Sequence, residues 1–259
     1  MPELLEIETY RALADRTRGR TISAVRADDD WYLKGGTTKP ELLAGLIGET
    51  VVTARRHGKL LLLETSGPVL GLRFGMTGRL LVDGAAGIER LEYSSDRDLS
   101  EWDRFGIDFG DDGTLTMRDP RRLGGVELDP DLGRLGPDAA ALDTAGLDRV
   151  LAESTTALKT RLLDQARVAG LGNLLVDDAL WRAGLDPARA AGGLNPAETA
   201  ALAESIAITL DELGRRGGSH TGDLQSERHR DGHCPLDGTA LERRTIGGRT
   251  TYSCPDHQR

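Results

Sequence analysis

The sequence predicts an α+β protein: one helix, then a β-sandwich or barrel, then a helical half, then a small hairpin. Three observations carry this. An apolar stripe at helical spacing opens the chain; eight short segments of strand character run from about residue 20 to 127; and helical periodicity takes over beyond about 133. The two cysteines and four of the five histidines fall in the last 40 residues, which singles out the hairpin as a candidate metal site.

Residues 2–16 read as a helix. Pro2 suits the first helical position, Glu3 and Glu6 favour its positive end, and Leu4, Ile7, Tyr10 and Leu13/Ala14 form the stripe. Strands are expected at 20–27, 49–56, 59–65, 68–74, 79–83, 104–109, 113–119 and 124–128, separated by Gly, Pro, Asp and Ser. Helices are expected near 139–152, 154–165, 173–184 and 196–214. The stretch 217–232 is polar and rich in Gly, His and Arg, as a linker would be. TTYSCP after a Gly-Gly turn predicts the hairpin. The domain boundary is expected at DPDLGRLGPD, giving parts at 1–132, 133–216 and 217–259.

No apolar run approaches the roughly 18 residues that span a membrane. The start of the chain also lacks the basic-then-apolar pattern of a secretory signal, so a cytoplasmic location and no membrane partner are expected. In that compartment a cysteine pair is more often metal-binding than disulfide-bonded. The charge balance, 33 Lys+Arg against 42 Asp+Glu, runs against the basic footprint of most nucleic-acid binders. Phosphates respond to the local field rather than the sum, however, and arginines gather at 55/56, 118/121/122, 215/216 and 243/244/249.

Five motifs bear chemistry. In MPELLEIE, removal of Met1 would expose a secondary amine on Pro2. An α-amino group has a pKa near 8, so about a third is neutral at about pH 7.5, against about 0.1% of an ordinary lysine. Such an amine can attack a sugar C1′ and form an imine. Glu3 beside it is suited to proton transfer, and Glu6 lies on the same helical face. RRHGKLLLLE places Lys59 at the opening of an apolar strand. RFGMTGRL sets Met76 in a Gly-flanked turn. In MRDPRRLGG, Arg121, Arg122 and Leu123 follow a rigid Asp-Pro turn, the residue types that hold an extruded nucleotide open. Residues 158–189 read as helix, two turns, helix. Asn173 is expected to cap the second helix, whose N–H groups suit a phosphate.

Taken together and in this order, these motifs resemble the formamidopyrimidine-DNA glycosylase/endonuclease VIII family over essentially the whole chain. Leu5 stands where a second proline is usual, and Leu123 where the glycosylase branch has Phe. The resemblance implies an N-terminal β-sandwich with an N-terminal helix, a helix-two-turn-helix domain and a hairpin zinc finger. It implies Pro2 as imine-forming nucleophile, Glu3 as general acid/base, Glu6 as supporting carboxylate, and Lys59 and Asn173 as phosphate contacts. Met76, Arg121 and Leu123 would fill the space left by the flipped nucleotide, and Arg249 would reach DNA from the finger. The implied reaction is excision of an oxidised base followed by β- and δ-elimination, by a monomer acting on double-stranded DNA that carries an oxidised base or abasic site.

Two departures bear on this. The family's C-x2-C-x16-C-x2-C finger here reads Cys234, Asp237, Cys254 and His257 in the same register. Asp and His both ligate zinc, so one structural Zn²⁺ is expected, with His233 a rival for the place of Asp237. The stretch SHTGDLQSER is shorter than the loop with which the family encloses 8-oxoguanine. An endonuclease VIII-like preference for oxidised pyrimidines therefore stays open, as does a damaged-DNA binder without excision.

Overall fold

The computed structural model describes residues 2–88, 97 and 99–259, which form two compact units, Met1–Leu132 and Gly133–Arg259. In the first unit, helix α1 (Leu4–Ala14) begins with a reciprocal capping box between Glu3 and Glu6. The Glu3 N–H donates to Glu6 Oε2 at 2.8 Å. Glu3 is therefore the cap, with extended backbone, and Pro2 precedes it instead of occupying the first helical position expected of it.

Among the described residues nine strands follow: β1 (Ile22–Arg26), β2 (Val51–His57), β3 (Leu60–Thr65), β4 (Val69–Arg73), β5 (Arg79–Val82), β6 (Ala85–Ala86), β7 (Asp103–Phe109), β8 (Thr114–Arg118) and β9 (Gly125–Leu128). They form two antiparallel sheets, ordered β1-β7-β8-β5-β6 and β2-β3-β4-β9. Alternate residues of both sheets, such as Ile107, Met117 and Leu80 from one and Leu61, Leu63 and Leu72 from the other, meet in one core with Ile7, Tyr10 and Leu13 of α1. The N-terminal part is thus a β-sandwich closed by its helix. The sequence reading does not anticipate α2 (Lys39–Leu46). Its signal is local: Thr38 and Glu41 form a capping box, and Pro40 lies in the first turn.

In the second unit, the helix expected over 139–152 divides. Asp138 caps a 3-10 turn at Ala139–Ala141 by accepting the Ala140 N–H, and Asp143 caps α3 (Thr144–Leu151) by accepting the Gly146 N–H, so a second cap five residues on restarts the helix. Helices α4 (Leu158–Leu163) and α5 (Asn173–Arg182) enclose the double turn. Gln165 stitches that turn by donating to the Leu163 and Leu171 carbonyls, both at 2.9 Å, and accepting from Gly170 N–H at 3.0 Å. Helix α6 (Pro196–Arg216) packs along α5. The hairpin β10 (Glu242–Ile246) and β11 (Arg249–Ser253) turns at Gly247-Gly248, both with positive φ, the pairing a two-residue turn requires. No described helix is long and apolar enough to cross a membrane.

Candidate active site and metal centre

Helix α1 organises the N-terminal motifs through three contacts. Glu8 and Arg56 pair at 3.4 Å, and Arg56 also donates to the Gly58 carbonyl at 3.1 Å, which ties α1 to the β2–β3 turn carrying Lys59. The Tyr10 hydroxyl donates to the Gly78 carbonyl at 3.3 Å, and its ring lies 4.6 Å from Phe74, so the Met76 turn is held from both ends. Burial pushes the Tyr10 phenol far above its ordinary range and keeps it a neutral donor. Pro2, Glu3 and Glu6 are all buried at the entrance of this helix. The Glu6 carboxylate accepts the Glu3 N–H, and the Glu3 carboxylate the Glu6 N–H, so two buried carboxylates stand at the start of the helix that Pro2 precedes.

The Met76 turn and the Arg121–Leu123 loop are joined by a residue the sequence reading used only as half of a turn. Asp119 is fully buried. One carboxylate oxygen accepts from Thr77 Oγ1 at 2.6 Å and Arg121 N–H at 3.2 Å, the other from Gly124 N–H at 2.8 Å. Gly75 has φ +57°, and a Cβ there would lie 2.5 Å from the Leu123 carbonyl carbon, so only glycine lets the loops approach this closely. Met76 and Arg121 meet, with Nη1 3.7 Å from Sδ. Leu123 is 49% exposed, an apolar side chain presented to solvent at the tip. Arg122 instead turns back in a left-handed conformation (φ +56°) and grips Asp29 with two bonds of 2.7 and 2.5 Å. That guanidinium holds the Asp29 carboxyl below the usual range.

In the second unit, Asn173 is not the cap expected of it. Gly172 is the N-cap, without a side-chain bond, and Asn173 is the first helical residue. Its amide instead reaches the hairpin, where Nδ2 donates to the Thr250 carbonyl of β11 at 3.3 Å. Lys159, fully buried, donates to the same carbonyl at 3.2 Å and to Thr251 Oγ1 at 2.7 Å, and pairs with buried Asp177 at 2.6 Å. Arg228 takes the other Asp177 oxygen. Helix α5 and the hairpin are thereby locked together, and Arg249 begins β11 with its side chain exposed. The sequence reading does not single out Lys159 and Asp177; the signal available was a lysine next to Leu158 on the helix LKTRLL.

Cys234, Asp237, Cys254 and His257 each bring a ligand atom within 4.8 Å of the others. Cys234 Sγ lies 3.4 Å from His257 Nδ1, Cys254 Sγ 3.3 Å from Asp237 Oδ2, and His257 Nδ1 3.5 Å from that same oxygen. A tetrahedron's edge is about 1.6 times its bond, so zinc bonds of roughly 2.0–2.3 Å demand edges of about 3.3–3.8 Å. The donor set fits and can bind a metal ion. His233 is not in this group; its backbone N–H donates to Glu227 at 2.9 Å. Asp237 is held at about 2 by the Thr239 N–H, so it is ready as an anionic ligand.

The segment 217–232, expected as a polar linker, is pinned down. Asp223 pairs with Arg182 and Arg216 at 2.5 Å, Leu224 is buried, and its N–H donates to Asp178 at 3.2 Å.

Residues 1–126 match the formamidopyrimidine-DNA glycosylase N-terminal domain, and residues 135–224 the H2TH domain of the same proteins. The chain belongs to the formamidopyrimidine-DNA glycosylase family. It is 36% identical to the formamidopyrimidine-DNA glycosylase of Paracoccus denitrificans over 98% of this chain and 99% of that one. Among solved structures it resembles Lactococcus lactis Fpg in complex with DNA containing Fapy-dG (TM-score 0.84, 27% identity, 99% of this chain and 100% of that one). The same protein with DNA containing an oxidised pyrimidine gives a TM-score of 0.84 at 28% identity, and with an abasic site 0.83 at 26%, both covering 100% of each chain. Family membership accounts for the α+β architecture and for the order of the motifs along the chain.

Proposed function

We propose that this chain excises oxidised bases from double-stranded DNA and cleaves the resulting abasic site, with the Pro2 amine as nucleophile. It is a base-excision repair DNA glycosylase with abasic-site lyase activity. The observation that carries the mechanism is the capping box, which holds the buried carboxylates of Glu3 and Glu6 at the start of α1, directly after Pro2. The Glu6 carboxylate, by accepting the Glu3 N–H, fixes the peptide that carries the nucleophile. Glu3 is the proton carrier.

In the first step the neutral Pro2 nitrogen bonds to C1′ and the N-glycosidic bond breaks, the base leaving with a proton. Ring opening of the sugar gives an iminium ion, which acidifies the C2′ protons. Removal of one expels the 3′ phosphate, and a second elimination expels the 5′ phosphate. Lys59 and Asn173 hold phosphates flanking the lesion, while Met76, Arg121 and Leu123 occupy the vacated space in the duplex. Arg249 contacts DNA from the hairpin. Cys234, Asp237, Cys254 and His257 hold one structural Zn²⁺; with four protein ligands it has no open position for catalysis. We assign catalysis to 1–132, the helix-two-turn-helix part to 133–216 and the linker with finger to 217–259, in a cytoplasmic monomer.

Glu3→Gln tests the proton role. Excision of a base should fall by about 10²-fold or more, the ordinary worth of a general acid. Cleavage of a preformed abasic site should survive, because it needs no base protonation. Equal loss of both activities, or retention of excision, overturns the assignment.

A further inference from the structure

The His257 ring is held by more than the ligand cluster. Its Nε2 lies 3.0 Å from the main-chain carbonyl oxygen of Trp181, in the last turn of α5. That oxygen also accepts the Gly184 N–H at 3.1 Å, and a carbonyl has lone pairs for both. A carbonyl can only accept, so the proton sits on Nε2. In the neutral ring Nδ1 then keeps its lone pair, and Nδ1 is the atom that faces Cys234 Sγ and Asp237 Oδ2. The side chain of the same tryptophan reaches the second ligand. Its Nε1 lies 3.3 Å from Cys234 Sγ, and an indole N–H can only donate, so the sulfur accepts. The indole also meets the imidazole edge-on, with centroids 5.9 Å apart at 82°.

We propose that Trp181 is the positioning residue of the metal centre: its carbonyl sets the tautomer of His257, and its indole N–H steadies the Cys234 thiolate. This rests on the metal reading above. A histidine in place of a thiolate needs its free nitrogen aimed and its other nitrogen satisfied, and one residue of α5 supplies the acceptor. The C-terminal segment is docked on the same helix end, with Arg259 N–H donating to the Gly184 carbonyl at 2.9 Å and Gln258 Nε2 to the Leu185 carbonyl at 3.0 Å. Helix α5 spans about 15 Å at 1.5 Å per residue. It runs from the Gly172/Asn173 end, assigned above to phosphate, to the metal centre.

The test uses the full chain loaded with Zn²⁺ or Co²⁺. Trp181→Phe keeps the carbonyl and an aromatic side chain, and removes the N–H···S bond together with one ring of the indole. Zn²⁺ affinity, measured by competition with a chromophoric chelator, should fall about tenfold, the lower end for a lost outer-shell partner. The sulfur-to-cobalt charge-transfer band should move to longer wavelength, since the sulfur loses the donor that lowered its lone-pair energy. Affinity within about twofold of the parent and a superimposable cobalt spectrum make Trp181 mere packing. Long-range ¹H–¹⁵N spectra of the zinc-loaded parent need no variant: they should show His257 protonated at Nε2 and metallated at Nδ1. The opposite tautomer overturns the carbonyl's role while leaving the metal reading intact. A parent chain that binds neither ion overturns the metal reading itself.

Discussion

Asp119→Ala is the sharpest probe of how the Met76 and Arg121–Leu123 loops are built. The carboxylate is fully buried and takes three donors, the Thr77 hydroxyl and the N–H groups of Arg121 and Gly124. A hydrogen bond to a charged group contributes about 1.5–3 kcal/mol, and each buried donor left unpaired costs about 1–3 kcal/mol. Three such donors give an upper figure near 9 kcal/mol. Relief of the buried charge and entry of water into the gap reduce this, so a loss of about 3–5 kcal/mol is expected, the lower half of that range. For a unit of 132 residues each kcal/mol moves the melting temperature by roughly 3–5 °C, placing the shift near 10–20 °C. Asp119→Asn keeps one acceptor oxygen and should lose about half as much. Arg121→Ala, at an exposed side chain on the same loop, should stay within about 0.5 kcal/mol. Calorimetric melting and urea titration measure all three. A loss below about 1 kcal/mol for Asp119→Ala, or an equal loss for Arg121→Ala, refutes the reasoning.

The Asp29–Arg122 pair sets a pH dependence. The folded Asp29 pKa is depressed, so its contribution is complete above the unfolded value of about 3.9 and is lost as pH falls through the lower folded value. The stability gap between the parent and Asp29→Asn in urea should therefore be constant from neutral pH to about 4 and close below it; a gap that closes between about pH 5 and 7 assigns it to another group. The pinned 217–232 segment bears on substrate choice, because a short, tethered stretch supplies fewer backbone donors to enclose a flipped purine. In single-turnover assays, ring-opened purines, oxidised pyrimidines and abasic sites should all be processed faster than 8-oxoguanine opposite cytosine. If 8-oxoguanine is fastest by about tenfold, or about 1.4 kcal/mol in the barrier, the loop argument is wrong.

Much of the fold was legible because its periodicities are strong. Each of the eight strands expected up to residue 128 has its counterpart, and Leu60–Leu63, an unbroken apolar run, is a strand buried on both faces. Helix boundaries were less legible where two capping side chains follow closely and start separate turns, as at Asp138 and Asp143, or where the cap is a glutamate, as at Glu3. The ligand register of the hairpin could be counted in sequence, but the choice of Asp237 over His233 could not, since it depends on how the chain folds back at Thr239. Asp119, Lys159 and Trp181 were opaque for a common reason. Each has at least one partner 42 to 92 residues away, and their local sequence describes only a turn or a helix face.

Borohydride trapping on a duplex with a single abasic site, followed by mass mapping of the cross-linked peptide, tests the central claim most directly. The account predicts a stable adduct on the N-terminal peptide, at Pro2, absent from Pro2→Gly and from protein that retains Met1. An adduct at Lys59, or undiminished trapping by either altered protein, would contradict it.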